Sequence, residues 1–217
     1  MRVIFSISAL LCLIAMPAAS AAPGGSPAIV RVRITTSAGA IIVALDARRA
    51  PKTTANFLAY VDDGRLDGTT FYRAARNKSA PAFGFIQGGI DTDARRVIVP
   101  PVQLEPTSLT GIRHLDATIS MARKVEPNSA TGNFILTVGP AHRLDAQGSY
   151  LGYAAFGRVV SGMDVVKRIL AVPTGGGTGE MRGQMILRPI ALISAKRLDG
   201  TPKPTGRPKP WLLMQRK

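Results

Sequence analysis

Short runs of apolar residues dominate the chain, and their spacing predicts a β-rich fold. Residues 29–35 alternate apolar and polar side chains, which is the period of a half-buried strand. A turn at 37–39 (Ser-Ala-Gly) separates this segment from a second apolar run at 41–45, so the two predict a hairpin. From 71 to 160, short apolar runs are separated by Gly, Pro, Asn and Ser, and a last run covers 185–195. This pattern indicates several short antiparallel strands.

Two other segments have apolar residues at helical spacing. Residues 50–61 begin with Ala-Pro, where Pro51 suits the first helical turn, and Gly64 ends the pattern. Residues 163–170 predict a second helix. The apolar face expected of the first helix consists of Ala55, Leu58, Ala59 and Val61.

The N-terminus has the layout of a secretory signal peptide. Arg2 precedes a nearly all-apolar run at 3–16, and small residues follow at 18–22. The run is shorter than the ~20 residues that a membrane-spanning helix needs. We therefore expect cleavage after Ala19 or Ala21 and delivery of the mature protein across the inner membrane to the periplasm.

The chain divides into four predicted segments. Residues 1–21 are the signal peptide, 22–28 a flexible lead-in and 29–198 one folded domain. Residues 199–217 form a basic, proline-rich tail that contains Trp211. Such a composition is typical of a disordered or polyproline-like segment. A solvated extension is the favoured interpretation, with a weak contact to an anionic surface as the alternative.

The charge is strongly positive, with 28 Lys and Arg residues against 13 Asp and Glu residues and a formal net charge of +15. An anionic partner such as nucleic acid would explain this balance. However, the cations are scattered and aromatic residues make up only 6% of the chain. The stacking platforms that nucleic-acid-binding proteins use are therefore missing, and we expect no nucleic-acid binding.

The sequence offers few residues for metal or nucleophilic chemistry. The single cysteine, Cys12, lies in the predicted signal peptide, so the mature protein has no thiol. His114 and His142 are the only histidines and have no third ligand nearby in sequence. We therefore expect no metal and no cofactor, and we predict both histidines to be surface or loop residues.

Four segments carry a more specific signal. They are 68–73 (Gly-Thr-Thr-Phe-Tyr-Arg), 84–89 (Gly-Phe-Ile-Gln-Gly-Gly), 119–122 (Ile-Ser-Met-Ala) followed by 128–136 (ending Gly-Asn-Phe-Ile-Leu), and 152–166 (beginning Gly-Tyr-Ala-Ala-Phe-Gly). In this order they resemble the cyclophilin family of peptidyl-prolyl cis-trans isomerases, over roughly residues 28–198. Each motif alone is weak, but four in order are not expected by chance. The resemblance implies a mainly β fold, a closed eight-stranded antiparallel β-barrel capped by two α-helices.

The implied reaction is rotation about X-Pro bonds. The barrier is ~18–20 kcal/mol because the amide must lose its resonance. No covalent bond changes, so the enzyme needs an apolar pocket for the proline ring and a donor for the twisted amide. A guanidinium suits the second task because it stays charged and offers several directed N–H groups. Arg73 matches the family's catalytic arginine, and Gln87 matches its groove glutamine.

The resemblance also implies a peptide-binding groove. Phe85 and Gln87 share a face of one strand, as do Asn133 and Ile135 of another. The predicted substrate-binding residues are Phe85, Ala122, Asn133, Ile135, Leu144 and Tyr153. The partners implied are proline-containing peptides or unfolded exported proteins, with the enzyme acting as a monomer that assists folding.

The sequence departs from the family pattern in the proline pocket. Gly84 stands where a phenylalanine is expected, Ile135 replaces the second aromatic residue of a Gln-Phe-Phe motif, and Arg143 stands at the position of the usual groove tryptophan. We therefore expect reduced activity and weak cyclosporin binding. These changes leave two alternatives open. One is a periplasmic peptide-binding holdase or assembly factor on the same fold, and the other is a binder of anionic surfaces.

Overall fold

The computed structural model describes residues 28–213. The predicted signal peptide and nearly all of the predicted lead-in lie outside the described residues. Within the described part of the chain, no helix is long and apolar enough to cross a membrane.

Nine antiparallel strands form one sheet. Their order is β1-β2-β7-β5-β6-β4-β3-β9, and β1 pairs with β9 to close the ring. The remaining strand, β8, has two residues and only extends the start of β9. The strands are β1 Ile29–Thr36, β2 Gly39–Asp46, β3 Thr69–Arg76, β4 Gly84–Gly89, β5 Thr118–Met121, β6 Asn133–Val138, β7 Ala155–Ser161, β8 Thr174–Gly175 and β9 Met185–Arg197. The predicted closed eight-stranded barrel is confirmed.

Both predicted helices are present, as α1 Pro51–Asp62 and α3 Met163–Ala171, with a single-turn helix α2 at Thr107–Thr110. The predicted face of α1 was partly wrong, because Ala55 is exposed. The helix turns Phe57 inward instead, where its ring packs 5.3 Å from Phe134. A large ring buries more apolar area than an alanine, so it determines which face meets the barrel.

The barrel interior is filled by alternate residues of the strands. Phe71, Ile86 and Phe134 lie in this core, fully buried. The rings of Phe71 and Phe134 meet edge to face at 5.6 Å, a geometry that aromatic pairs prefer. Because side chains alternate along a strand, the residues between these positions face the outside of the barrel.

Hydrogen bonds hold the C-terminal segment against the loop that follows α1, so the prediction of a disordered tail is wrong for residues 203–212. Most of these residues are nevertheless exposed, as a solvated segment would be. Trp211 is only 3% exposed and lies between two guanidinium groups, 4.8 Å from that of Arg65 and 4.9 Å from that of Arg96. Arg65 also donates to the carbonyl of Pro208 at 2.9 Å, and the Thr205 hydroxyl donates to Asp63 at 2.7 Å. We call residues 203–212 the C-terminal clasp. It forms because the buried guanidinium of Arg65 needs acceptors, and tail carbonyls supply them.

Candidate active site

A β-bulge in β3 brings Arg73 to the outside of the barrel. Phe71 pairs with Gly88 and Arg73 pairs with Gln87, so Tyr72 is an extra residue on this strand. Strict alternation would place Phe71 and Arg73 on the same face, whereas a bulge re-aims the side chain that follows it. Phe71 remains in the core, and both Tyr72 and Arg73 face outward. Gly88 permits this, because a Cβ there would lie 2.7 Å from the Phe71 ring.

The strand register aligns the predicted site residues across the outer face. Gln87 lies opposite Arg73 on one side and opposite Ile135 on the other. Directly opposite residues of antiparallel strands share a face. Phe85 is two residues from Gln87, so it shares that face as well.

A second apolar cluster lies on this face, separate from the barrel core. Its buried members are Ala75, Phe85, Ile135 and Leu144, and the partly buried Ala122, Ala141 and Tyr153 pack against them. We call these seven residues the outer cluster. It contains five of the six predicted substrate-binding residues. Two cavities, of about 350 and 460 Å³, lie elsewhere, beside α1 and the C-terminal clasp, and neither contains an outer-cluster residue.

Asn133 is the one predicted substrate-binding residue outside this cluster. Its side-chain amide donates to the carbonyl of Asp91 at 2.9 Å and accepts from the N–H of Asp91 at 2.7 Å. The side chain therefore holds the loop that follows β4, beside the cluster.

The guanidinium of Arg73 lies over the outer cluster, with its central carbon 5.1 Å from the centre of the Phe85 ring. Nε and Nη2 both donate to Oε1 of Gln184, at 2.9 and 2.7 Å. Nη2 also donates to the carbonyl of Glu180 at 3.2 Å, and Nη1 donates to Oε1 of Gln87 at 3.0 Å. A guanidinium has five N–H groups. One N–H of Nη1 therefore has no acceptor among the described residues.

The acceptors of Arg73 are neutral oxygens, and the described residues provide no carboxylate that forms an ion pair with it. Burial of the half-exposed side chain lowers the pKa of Arg73, while the phenols of Tyr72 and Tyr153 act in the opposite direction. Arginine nevertheless stays protonated in proteins. The site thus holds a fixed positive charge beside an apolar surface, where a charge interacts more strongly than in water.

Gln87 is held at both ends of its amide. Its Oε1 accepts from Arg73, and its Nε2 donates to the hydroxyl of Tyr72 at 2.9 Å. Burial, followed by the negative charge of Asp91, raises the pKa of Tyr72. The phenol therefore stays neutral, and the network keeps Arg73 in one orientation.

Sequence reasoning missed Tyr72 and Gln184 as members of the site. Tyr72 lies within the motif at 68–73, but a bulge leaves no mark in the apolar pattern. Gln184 is 111 positions from Arg73 and precedes β9. Only closure of the barrel between β3 and β9 brings it to the guanidinium.

His114 lies in the loop before β5, as one half of its prediction had it, but it is fully buried rather than on the surface. Its Nδ1 donates to Asp145 at 2.7 Å, and its Nε2 lies 2.9 Å from the hydroxyl of Ser120. Burial lowers the pKa of His114 more than the Asp145 carboxylate raises it, so the ring is neutral. Ser120 is also fully buried, so a substrate cannot reach its hydroxyl. This chain of contacts ties β5 to the turn at His142–Leu144, which carries Leu144 of the outer cluster.

Comparison with known proteins agrees with this geometry. The family of cyclophilin type peptidyl-prolyl cis-trans isomerase/CLD matches residues 31–192. Peptidyl-prolyl cis-trans isomerase A of Dickeya dadantii is 38% identical over 196 residues, covering 90% of this chain and 96% of that protein. A peptidyl-prolyl cis-trans isomerase of Streptomyces antibioticus is 37% identical over 171 residues, covering 77% and 98%.

A solved structure shares the fold. It is a cyclophilin type peptidyl-prolyl cis-trans isomerase of Cryptosporidium parvum, crystallised in the presence of the dipeptide Ala-Pro, with a TM-score of 0.60 and 20% identity over 78% of this chain and 99% of that one. The chain described here belongs to the cyclophilin family. It is an enzyme, a peptidyl-prolyl cis-trans isomerase.

Proposed function

We propose that this isomerase is exported to the periplasm, where it acts as a monomer on X-Pro bonds of unfolded exported polypeptides and assists their folding. Arg73 is the catalytic residue, and the outer cluster binds the proline ring. The observation that carries this proposal is the position of the guanidinium over Phe85. Among residues 28–213 it has one N–H without an acceptor and binds no carboxylate. The dipeptide in the Cryptosporidium parvum crystals supports a proline-containing ligand at this kind of fold.

The chemistry follows from the loss of amide resonance. As the X-Pro bond twists, its nitrogen becomes pyramidal and gains a lone pair that can accept a hydrogen bond. The unused N–H of Arg73 is the donor for that lone pair, and it stabilises the twisted amide more than the planar one. The neutral network of Gln87, Gln184 and Tyr72 holds the guanidinium in place beforehand, so little reorganisation is needed during the reaction.

Binding divides between apolar and polar contacts. Phe85, Ile135 and Leu144 supply an apolar surface for the proline ring. Gln87 has a second N–H on Nε2 beyond the one that it gives to Tyr72, and this group binds a main-chain carbonyl of the substrate. Phe85 replaces the aromatic wall that Gly84 cannot supply, since a Cβ at Gly84 would lie 2.0 Å from the carbonyl oxygen of Ala75.

The test is a cis-trans exchange measurement by NMR on a capped Ala-Pro peptide. We expect Arg73→Ala to lower kcat/KM by about 10²- to 10³-fold, the usual effect of removing a donor that stabilises a transition state. The matched control is Arg33→Ala. Arg33 is an exposed arginine on β1, and β9 separates β1 from β3, the strand that carries Arg73. An Arg73→Ala rate equal to that of the control would exclude Arg73 from the mechanism.

The two alternatives have less support. A holdase would bind the same peptide without accelerating exchange, and the half-exposed, charged Arg73 with its unused donor argues for catalysis instead. Contact of the tail with an anionic surface would rest on exposed cations alone, because Trp211 is buried between Arg65 and Arg96 and cannot insert into that surface. Export is tested by cell fractionation of the full chain beside a chain that lacks residues 1–21. The monomeric state is tested by analytical ultracentrifugation.

A further inference from the structure

Three guanidinium groups border the outer cluster. Arg73 lies over Phe85, and Arg123 lies over Tyr153 with its central carbon 4.7 Å from the ring centre. Arg143 directly precedes Leu144 and is exposed. Phe85 and Tyr153 belong to the apolar surface proposed for the proline ring. Each of these two rings therefore has a guanidinium group over one face.

Hydrogen bonds hold Arg123 and Arg143 but leave several of their donors unused. Nε of Arg123 donates to the carbonyl of Gly152 at 2.9 Å, and its Nη1 donates to two main-chain carbonyls of the following residues, each at 2.9 Å. Nη1 of Arg143 donates to Oδ1 of Asn77 at 2.7 Å. Among the described residues, Nη2 of each arginine has no acceptor. These are planar N–H groups of the kind that binds a carboxylate.

The charges of these arginines are not neutralised by ion pairs. Elsewhere in the described residues, Arg31, Arg95 and Arg197 each bind an aspartate. Within residues 28–213, Arg73, Arg123 and Arg143 form no such pair, since their acceptors there are carbonyls and side-chain amides.

Four carboxylates lie near the site, and one of them is Glu126, which is exposed in the turn that follows Arg123. Asp145 is buried and accepts from the main-chain N–H and the ring of His114. Asp91 and Glu180 are exposed, and Glu180 is close enough to raise the pKa of Arg73 while Arg143 lowers it. Lys124 adds a further exposed cation beside Arg123. The four cations around the outer cluster, of which Lys124 and Arg143 are exposed, outnumber the three exposed carboxylates.

We propose that the site prefers X-Pro peptides that carry Asp or Glu beside the dipeptide, and that Arg123 and Arg143 are the residues that determine this preference. A flanking carboxylate reaches the unused Nη2 groups while the proline ring lies on the outer cluster. Because hydrogen bonds already hold both guanidinium groups, binding a carboxylate costs less side-chain entropy than it would at a free arginine. This inference rests on the proposed peptide site at the outer cluster.

The test uses three capped peptides with one Ala-Pro bond, flanked on both sides by Glu, by Gln or by Lys. Cis-trans exchange is measured by NMR at 20 mM and 500 mM NaCl. At low salt we expect kcat/KM for the Glu peptide to exceed that for the Lys peptide by about five- to tenfold, the range for two exposed ion pairs. At high salt the ratio falls toward one, because the screening length shrinks to a few ångströms.

Variants of Arg123 and Arg143 test whether these two residues cause the preference for acidic peptides. The double variant Arg123→Gln and Arg143→Gln is expected to reduce the Glu-to-Lys ratio to about twofold or less, whereas Arg33→Gln leaves it unchanged. Each ratio is taken within one variant, so a loss of folded protein does not alter it. Equal rates for the Glu and Lys peptides in the unaltered protein, or a ratio that persists in the double variant, would overturn the preference. Failure to accelerate exchange of the Gln peptide would instead overturn the proposed function.

Discussion

Arg73 and Arg65 both lie over an aromatic ring, at 5.1 Å from the centre of Phe85 and 4.8 Å from that of Trp211, yet their surroundings differ. Arg65 is 2% exposed and forms an ion pair with Asp63 at 3.1 Å, so its charge is compensated inside the protein. Arg73 is half-exposed and held by amide and carbonyl oxygens only. An arginine–aromatic contact therefore stabilises the fold in the C-terminal clasp. At the outer cluster, the same kind of contact leaves the charge of Arg73 available to a ligand.

Removing each arginine in turn tests this difference between the two sites most directly. We expect Arg65→Ala to lower the free energy of unfolding by about 3–5 kcal/mol, because it leaves the buried carboxylate of Asp63 unpaired. Arg73→Ala is expected to change it by less than ~1 kcal/mol, since no buried charge loses its partner. Urea unfolding followed by far-UV circular dichroism measures both. Equal losses in the two variants would contradict the distinction.

Replacing Trp211, the aromatic partner of Arg65, tests how much the C-terminal clasp contributes to stability. Trp211→Ala is expected to cost about 2–4 kcal/mol of unfolding free energy, from lost burial and lost cation–π contacts. Leu212→Ala is the matched control, because Leu212 is adjacent and 47% exposed. Thermal unfolding of both variants measures the loss of stability as a shift of the unfolding midpoint. A clasp that contributes nothing to stability would show the same midpoint in each.

At the outer cluster, Gln184, a neutral hydrogen-bond partner of Arg73, can be replaced while the charge of Arg73 is kept. Gln184→Ala is expected to lower kcat/KM about tenfold, because Arg73 loses the acceptor that receives both its Nε and Nη2. The free energy of unfolding should change little. Gln103→Ala serves as the control, since Gln103 is exposed and accepts from Lys52 at the start of α1 instead. Unchanged catalysis in Gln184→Ala would mean that Gln184 does not position Arg73.

Acid should affect the clasp through Asp63. Burial alone would raise the pKa of Asp63, but hydrogen bonds from Thr205 and Arg65 outweigh it and the pKa is lowered. A carboxyl group with a lowered folded-state pKa stabilises the protein above its ordinary pKa near 3.8, and this contribution is lost as the pH falls below that value.

Trp211 is the only tryptophan, so its fluorescence reports the clasp directly. We expect a shift to longer wavelength below about pH 4. The variant Asp63→Asn should flatten this transition while leaving the protein less stable at neutral pH. An Asp63→Asn protein with the same acid transition would assign it to another group.

Two sources supplied the part of the site that sequence predicted. The period of two along a strand placed Phe85 with Gln87, and Asn133 with Ile135. The resemblance to cyclophilins, not the period, implied that the two pairs line one groove. The bulge at Tyr72 breaks this period by one residue, and only the pairing of β3 with β4 shows it. The same limit explains His114, whose partners Asp145 and Ser120 become neighbours only when the strands assemble.

Short-range patterns in the sequence predicted the first hairpin and both long helices, because these depend on neighbours within a few positions. The resemblance to cyclophilins supplied Arg73 and Gln87 as the catalytic candidates. Tertiary structure alone decided that Arg73 meets Gln184, that Trp211 packs between two arginines and that Ala55 faces solvent. Each of these outcomes depends on which distant acceptor or apolar surface reaches the side chain once the barrel closes. Burial and hydrogen bonding depend on the residues that surround a side chain in the folded protein, and the local periodicity of the sequence does not specify those residues.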